Sequence, residues 1–557
     1  MRTVRDATFQ VARELGLTTW FGNPGSTEIP LLADIPDGIE YLLALHENAA
    51  VGIAAGHALA TGRPALVSLH TAAGLGNAVN ALASARVNRA PLVVLVGQQD
   101  RRHIAFEPFL TGRLEGMAGD YPVATHMPLR PQDVPGAVAR AYHEAAAGSG
   151  PAIVIVPMGA WSGAMDDTEL AAPAICRPAT GVAAADVAPI AQLLDAARSP
   201  VLVTGAGASD QVTWDALTAL ADRLGCPVWQ EPFTGRPGFP QGHPGFAGFL
   251  PAGRAALRDT LAGHDVVLVV GAGVLRQYHY EPGPLFADGT AVAVITADPA
   301  EAQRSPARFA LIAPLAAACA QLAAAVAARP ANGQPGAGQP PRAERRPEAA
   351  EPRPGAAGRQ LGAAEPQPGP APRPPGAPRG PGLSARDVLG VLAARIDPDT
   401  IVVEESPSSR ELLQEMLPAT DPLGYVGAAM GNLGFALPEA IGLRLAHPAR
   451  PVLAVLGDGS AIYGIQALWT AAHYGVGVLF IVLANSRYGV MDHLASQQGK
   501  PPWPGFPEVH VARLADGFGC PADSVATLDA LVEVMDRVIP TLRTRSEPLL
   551  VNVEIID

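Results

Sequence analysis

Two polar residues late in the chain, Asp458 and Asn485, have the types and spacing of a metal site. Both lie in PVLAVLGDGSAIYGIQALWTAAHYGVGVLFIVLANSRYG, 485 − 458 = 27 residues apart. Each follows a short apolar run of the kind that forms a buried parallel strand. A helix between two such strands returns the chain to the same sheet edge. Both side chains then emerge together where α/β sheets bind ligands. A carboxylate, an amide oxygen and a nearby backbone carbonyl, that of Arg487, are hard oxygen donors suited to Mg2+. That ion commonly completes its octahedron with phosphate oxygens. Gly459 and Ser460 open the following helix, so backbone N–H groups and a hydroxyl face an anion. Metal and helix terminus together make a diphosphate site. Alone, GDGS could equally be a turn with Asp458 capping a helix; Asn485 at the matching position favours the metal.

The elements that must carry these residues are legible as short apolar runs alternating with helical patterns. Runs at 65–69, 91–96 and 152–156 form one series, and 201–203, 266–270 and 291–295 a second. Runs at 400–403, 452–456, 478–483 and 549–553 form a third. This predicts three doubly wound α/β domains with parallel sheets, at 1–165, 182–329 and 383–557. Between the last two, residues 330–382 are rich in Pro, Gly, Ala, Arg and Glu, the composition of a disordered or polyproline-like linker. Hydrophobic residues make up 48% of the 557 and charged residues 16%, enough for large cores. A formal net charge of −13 argues against a nucleic-acid partner. The N-terminus has no signal-peptide core and no apolar run is long enough to span a membrane, so a cytoplasmic protein is expected. Four scattered cysteines imply reduced thiols.

GDGS followed by Asn485 resembles the cofactor motif of thiamine-diphosphate-dependent enzymes, and GAAMGNLGFALPEAIG (427–442) resembles the segment that holds the aminopyrimidine ring. Further matches point to the benzoylformate decarboxylase family: FGNPGSTEIP (21–30), LALHENAAVGIAAGHALATGRPALVSLHTAAGLGNA (43–78) and APLVVLVGQQ (90–99). The resemblance covers nearly the whole chain outside the Pro-rich stretch. It implies a pyrimidine-binding, a central and a diphosphate-binding domain, with thiamine diphosphate and Mg2+ as cofactors. It implies that Glu47 hydrogen-bonds the pyrimidine nitrogen and favours the tautomer that takes up the reactive carbon's proton. Gly431 and Leu433 would meet the ring, with Leu433 wedged beneath it. Ser408, Gly459, Ser460 and Tyr488 would join Asp458 and Asn485 around the diphosphate. His70 would transfer protons and Ser26 would contact the substrate carboxylate. Without the resemblance, Glu47 is a first-turn acid, Ser26 a helix cap and His70 a partly buried histidine. The implied reaction is non-oxidative decarboxylation of a small 2-oxo acid to an aldehyde and CO2. The implied assembly is a homodimer or homotetramer with each site between two chains.

The match departs in places. The family's second histidine falls in GAGVLRQYHYEPG (271–283), where Tyr278 occupies its position and His279 follows. Either His279 is restored by a local shift or Tyr278 replaces it. Leu110 is retained in the expected substrate pocket. Val490 and Leu494 stand where the family has a smaller and an aromatic residue. Arg410 stands where a small polar residue is usual. It either pairs with a second anionic group on the substrate or lies on a surface helix. A carboligase of the acetolactate synthase type, using the same cofactor, is the alternative activity. The glycine loops VTGAGAS (203–209) and VVGAGV (269–274) raise a dinucleotide-dependent oxidoreductase, but neither fits G-x-G-x-x-G. A cofactor binder without catalysis would have no need of Glu47.

Overall fold

A computed structural model describes residues 2–165, 173–329 and 382–556. The short Val-, Leu- and Ile-rich runs become the central strands of three six-stranded sheets, parallel throughout. The first contains β1 (Thr19–Gly22), β2 (Glu40–Leu43), β3 (Ala65–Leu69), β4 (Leu92–Gln98), β5 (Ala124–His126) and β6 (Pro151–Pro157), in the order β2-β1-β3-β4-β6-β5. The second contains β7 (Pro200–Thr204), β8 (Val228–Gln230), β9 (Phe246–Phe249), β10 (Val266–Val270), β11 (Ala291–Thr296) and β12 (Phe309–Ile312), in the order β12-β11-β10-β7-β8-β9. The third contains β13 (Ile401–Glu405), β14 (Tyr425–Gly427), β15 (Val452–Gly457), β16 (Leu479–Ala484), β17 (Ala522–Val525) and β18 (Leu549–Glu554), in the order β14-β13-β15-β16-β18-β17. Helices cover the sheets, so strands such as β4, β6 and β10 are buried along their whole length.

In the first sheet the chain leaves β1 for β2 on one side and then crosses to β3 on the other. The third sheet repeats this around β13, β14 and β15. The loops after the two central strands diverge and leave a crevice at the carboxyl edge. Residues 23–28 and 70–74 therefore face one crevice, and 406–410 and 458–460 face the other.

Helices Glu47–Thr61 and Ala436–Ala446 join the first and third sheets in one hydrophobic core. Their approach requires glycine. A Cβ on Gly442 would lie 1.9 Å from the Ile53 carbonyl oxygen, and one on Gly56 2.0 Å from that of Glu439. In the central sheet the two glycine loops pack on each other. Gly207 donates its N–H to the Gly271 carbonyl at 2.8 Å, and Gly205 to that of Val270 at 3.1 Å. Those N–H groups are used within the fold, so the loops are tight turns rather than a phosphate cradle. The stretch expected as a linker lies outside the described residues except for Gly382. Among the described residues no helix is long and apolar enough to cross a membrane.

Candidate active site

The crevice of the third sheet opens into a cavity of about 740 Å3. Asp458 sits at its wall, where β15 gives way to the helix Asp458–Gly464. Its carboxylate oxygens accept the N–H groups of Gly459 at 2.7 Å and Ser486 at 2.6 Å. Each oxygen keeps a lone pair for a further partner. Burial raises this carboxyl above the usual range, against the pull of those N–H groups. An adjacent cation would offset that penalty, and the donor set of carboxylate and amide oxygen fits a hard one. Asn485, at the end of β16, lines the same cavity with Arg487, and its side-chain oxygen accepts the Arg487 N–H at 3.2 Å.

The other residues expected around the cofactor line this cavity too: Ser408, Gly431, Leu433, Gly459, Ser460 and Tyr488. Gly459 has no room for a side chain, since a Cβ would lie 2.5 Å from the Tyr488 ring. Gly431 has φ +76°, a conformation that glycine adopts without strain. Of the expected substrate-pocket residues, Arg410 and Val490 are at the wall. Leu494 is not, because on the helix Gly489–Gln497 it sits about 6 Å further along the axis than Val490. Tyr278 lines the cavity and His279 does not, although the chain bends here and the two rings lie side by side, with centroids 4.2 Å apart. Phe233 packs beside Tyr278, with ring centroids 6.2 Å apart.

Glu47, His70, Ser26 and Leu110 do not line this cavity; they gather at the crevice of the first sheet. Glu47 opens the helix Glu47–Thr61 and is only 7% exposed. Asn77 donates to one of its oxygens at 3.0 Å and Asn23 to the other at 3.3 Å. His70 follows β3 and caps the helix Thr71–Val87, with its Nδ1 2.9 Å from the Thr27 hydroxyl and 3.1 Å from the buried Glu28 carboxylate. The Thr27 hydroxyl donates to the other Glu28 oxygen. Thr27 is thereby left as an acceptor and Glu28 accepts, so Nδ1 carries a proton and Nε2 is left for other partners. Gly25 lies flat on the imidazole, where a Cβ would come within 2.1 Å of Cγ. That holds the exposed Ser26 next to the ring. Leu110 has φ +66°, a strained conformation for leucine. Gly112, two residues on, abuts the backbone of Ala72 beside His70.

Sequence reading missed the groups that hold these residues. Along the helix Thr71–Val87 and its cap, residues 77, 80, 84 and 88 share one face. Asn80 donates to the carbonyl of Leu433 at 3.1 Å, and Ser84 to the side chain of Asn432 at 2.6 Å. Asn88 donates to the Gly427 carbonyl and accepts the Ala429 N–H, both at 3.0 Å. One helix thus grips Glu47 at one end and the 427–433 segment along the rest. Its signal in the sequence was a row of Asn and Ser at helical spacing on an otherwise apolar helix.

Models of the thiamine pyrophosphate enzyme family match all three parts of the chain. The N-terminal TPP binding domain matches residues 2–120, the central domain 187–322 and the C-terminal TPP binding domain 408–553. The chain is 37% identical over 543 residues to benzoylformate decarboxylase of Pseudomonas aeruginosa, covering 95% of each chain. It is 26% identical over 553 residues to acetolactate synthase isozyme 1 large subunit of Escherichia coli, covering 95% of this chain and 91% of that one. Among solved structures it is similar to a thiamine diphosphate-dependent 4-hydroxybenzoylformate decarboxylase of Rhodococcus jostii. The identity is 33% and the TM-score 0.86, over 100% of this chain and 99% of that one. It is also similar to benzoylformate decarboxylase of Polynucleobacter necessarius, at 30% identity and TM-score 0.87, over 100% and 99%.

Proposed function

The chain belongs to the thiamine pyrophosphate enzyme family and is a thiamine-diphosphate-dependent 2-oxo-acid decarboxylase; on that premise we propose that its substrate is an aryl 2-oxo acid, processed in a site built from two copies of the chain. The observation that supports this most directly is the division of the chemistry between two sheet edges. The cavity beside Asp458 holds the expected metal and diphosphate residues and lacks a base. The cluster around Glu47 and His70 holds the acid and base and lacks a phosphate cradle. A second copy would bring one to the other. Phe106 and Phe109, 85% and 88% exposed on the loop that leads to Leu110, are apolar surface for such a partner to cover.

Thiamine diphosphate, when bound, supplies the electron sink that lets a 2-oxo acid lose CO2. In this reading Asp458, Asn485 and the Arg487 carbonyl hold Mg2+, while Ser408, Gly459, Ser460 and Tyr488 hold the diphosphate. Gly431 and Leu433 hold the pyrimidine ring. Glu47 of the other copy would hydrogen-bond the ring, with Asn23 and Asn77 fixing the carboxylate. His70 moves protons through Nε2, oriented by Glu28, and Ser26 holds the substrate carboxylate. Phe233, Tyr278, Met430 and Leu433 give the cavity an aromatic and apolar wall suited to an aryl group. A cytoplasmic location suits the cysteines: Cys226, Cys319 and Cys520 are buried free thiols, and Cys176 is free and exposed.

The activity test is CO2 and product analysis with a panel of aryl, branched aliphatic and dicarboxylic 2-oxo acids. Aldehyde should form fastest from an aryl member; an acyloin as main product would favour the carboligase instead. The assembly test mixes Glu47→Gln with Asp458→Ala by co-expression. Each variant alone is inactive, but in a hybrid dimer one site keeps both residues. Recovery of activity is expected; none would place the whole site within one chain.

A further inference from the structure

The cavity wall carries three arginines, and they are not equivalent. Arg276 is engaged through both Nη groups: it donates to Glu231 at 2.8 Å, to the Ala429 carbonyl at 3.3 Å and to the Phe233 carbonyl. Arg487 is half exposed and stands 3.7 Å from Asp492. Arg410 differs from both. Its Nε donates to Glu404 at 2.7 Å, and its side chain is only one-fifth exposed. Among the described residues its terminal Nη groups have no acceptor.

The guanidinium cannot easily turn away. Glu404 is completely buried, and the Ser406 N–H at 2.6 Å and the Tyr425 hydroxyl at 3.0 Å fix it in place. Glu404 therefore acts as a peg that aims the planar fork. Its place in the sheet says what the fork faces. Glu404 lies on β13 and Tyr425 on β14, while Asn485 follows β16, two strands from β13 in the order β14-β13-β15-β16. At about 4.8 Å per strand, the anchor is about 10 Å across the sheet from the strand that carries Asn485. It lies on the side from which residues 428–433 depart, next to the apolar wall of Met430 and Leu433.

We infer that Arg410 is a specificity-determining residue that receives an oxygen acceptor, a ring hydroxyl or ring carboxylate, at the far end of an aryl 2-oxo acid. The inference rests on the aryl reading above and narrows it. Unpaired N–H groups in an apolar wall carry a desolvation cost that an oxygen-bearing substrate removes and a hydrocarbon substituent does not. Because Glu404 balances the charge of Arg410, a neutral hydroxyl fits as well as a carboxylate, and the assay separates the two.

The test uses the full chain with thiamine diphosphate and Mg2+, measuring kcat/KM for CO2 release from benzoylformates carrying 4-hydroxyl, 4-carboxylate or 4-methyl groups. The wild type should prefer one oxygenated substrate over the 4-methyl analogue by roughly 10- to 100-fold. In Arg410→Met combined with Glu404→Gln, which leaves no buried unpaired charge, that ratio should fall towards one. The cofactor concentration for half-maximal activity should stay the same. Arg410→Lys, which keeps the charge but loses the fork, should give an intermediate ratio. An equal loss on all three substrates would assign Arg410 to the shared 2-oxo carboxylate and overturn the inference. A raised cofactor requirement would assign it to the diphosphate and overturn the inference equally. A wild type that turns over the 4-methyl substrate without preference refutes the role of Arg410 alone. A wild type inactive on every aryl acid but active on other 2-oxo acids refutes the aryl reading and this inference with it. Should the variants not fold, the wild-type ratio decides.

Discussion

Asn88 is the point where segments of the three domains meet beside the cavity, and replacing it tests whether that junction sets cofactor affinity. The residue is fully buried. Its amide donates to the Gly427 carbonyl at 3.0 Å and reaches Glu439 at 3.4 Å, and its oxygen accepts the Ala429 N–H at 3.0 Å. Gly235 of the central region packs on it so closely that a Cβ there would lie 2.8 Å from the Asn88 oxygen. Asn88→Ala removes the side-chain partner of two buried backbone groups, each worth about 1–3 kcal/mol when left unpaired. The sum is about 2–6 kcal/mol, concentrated on the segment that runs into Met430, Gly431 and Leu433 of the cavity wall. If a quarter to a half of it opposes the cofactor-bound arrangement, about 0.5–3 kcal/mol, cofactor affinity falls by roughly 2- to 160-fold. Asn88→Asp keeps the size but turns a donor into an acceptor facing the Gly427 carbonyl and Glu439, so it should be at least as damaging at neutral pH. The assay is a thiamine diphosphate titration at saturating Mg2+, with thermal unfolding alongside. Apparent affinities within twofold of wild type for both variants, with unchanged unfolding, would refute the reasoning.

Glu47→Gln should retain the fold and cofactor binding but lose about 100- to 10,000-fold in turnover, the usual range for a positioned acid–base group; steady-state kinetics with cofactor titration checks both halves. Asp458→Ala should abolish Mg2+-dependent cofactor binding, measured by titrating the cofactor with and without the ion; normal affinity would remove Asp458 from the metal site. Glu439 is buried with one oxygen unpartnered, and burial raises its carboxyl well above the usual 4.5. A raised folded value means stabilisation that is full below the ordinary carboxyl value of 4.5 and is lost as pH rises from there through the folded value. Glu439→Gln should therefore melt at or above the wild-type temperature at pH 8 and show no such advantage near pH 4; a lower melting point at pH 8 would contradict the buried neutral acid.

The sequence by itself determined the sheet cores and the motif-bearing turns. Runs such as 65–69 and 266–270 are apolar on both faces because helices cover both sides, and they coincide with β3 and β10. The short strands β2, β8, β9 and β14 were not legible, since three or four residues at or near a sheet edge carry too little pattern. Asp458 and Asn485 were legible because strand, helix and strand fix which edge they share. What only tertiary structure decided is which side chains meet from distant segments. Glu28 orients His70 across 42 residues, and Ser84 reaches Asn432 across 348. No local periodicity encodes such pairs, because their energy exists only once the segments are packed. The same holds for Tyr278 lining the cavity in place of His279, and for Arg410, which the peg at Glu404 turns inward rather than leaving it on an exposed helix.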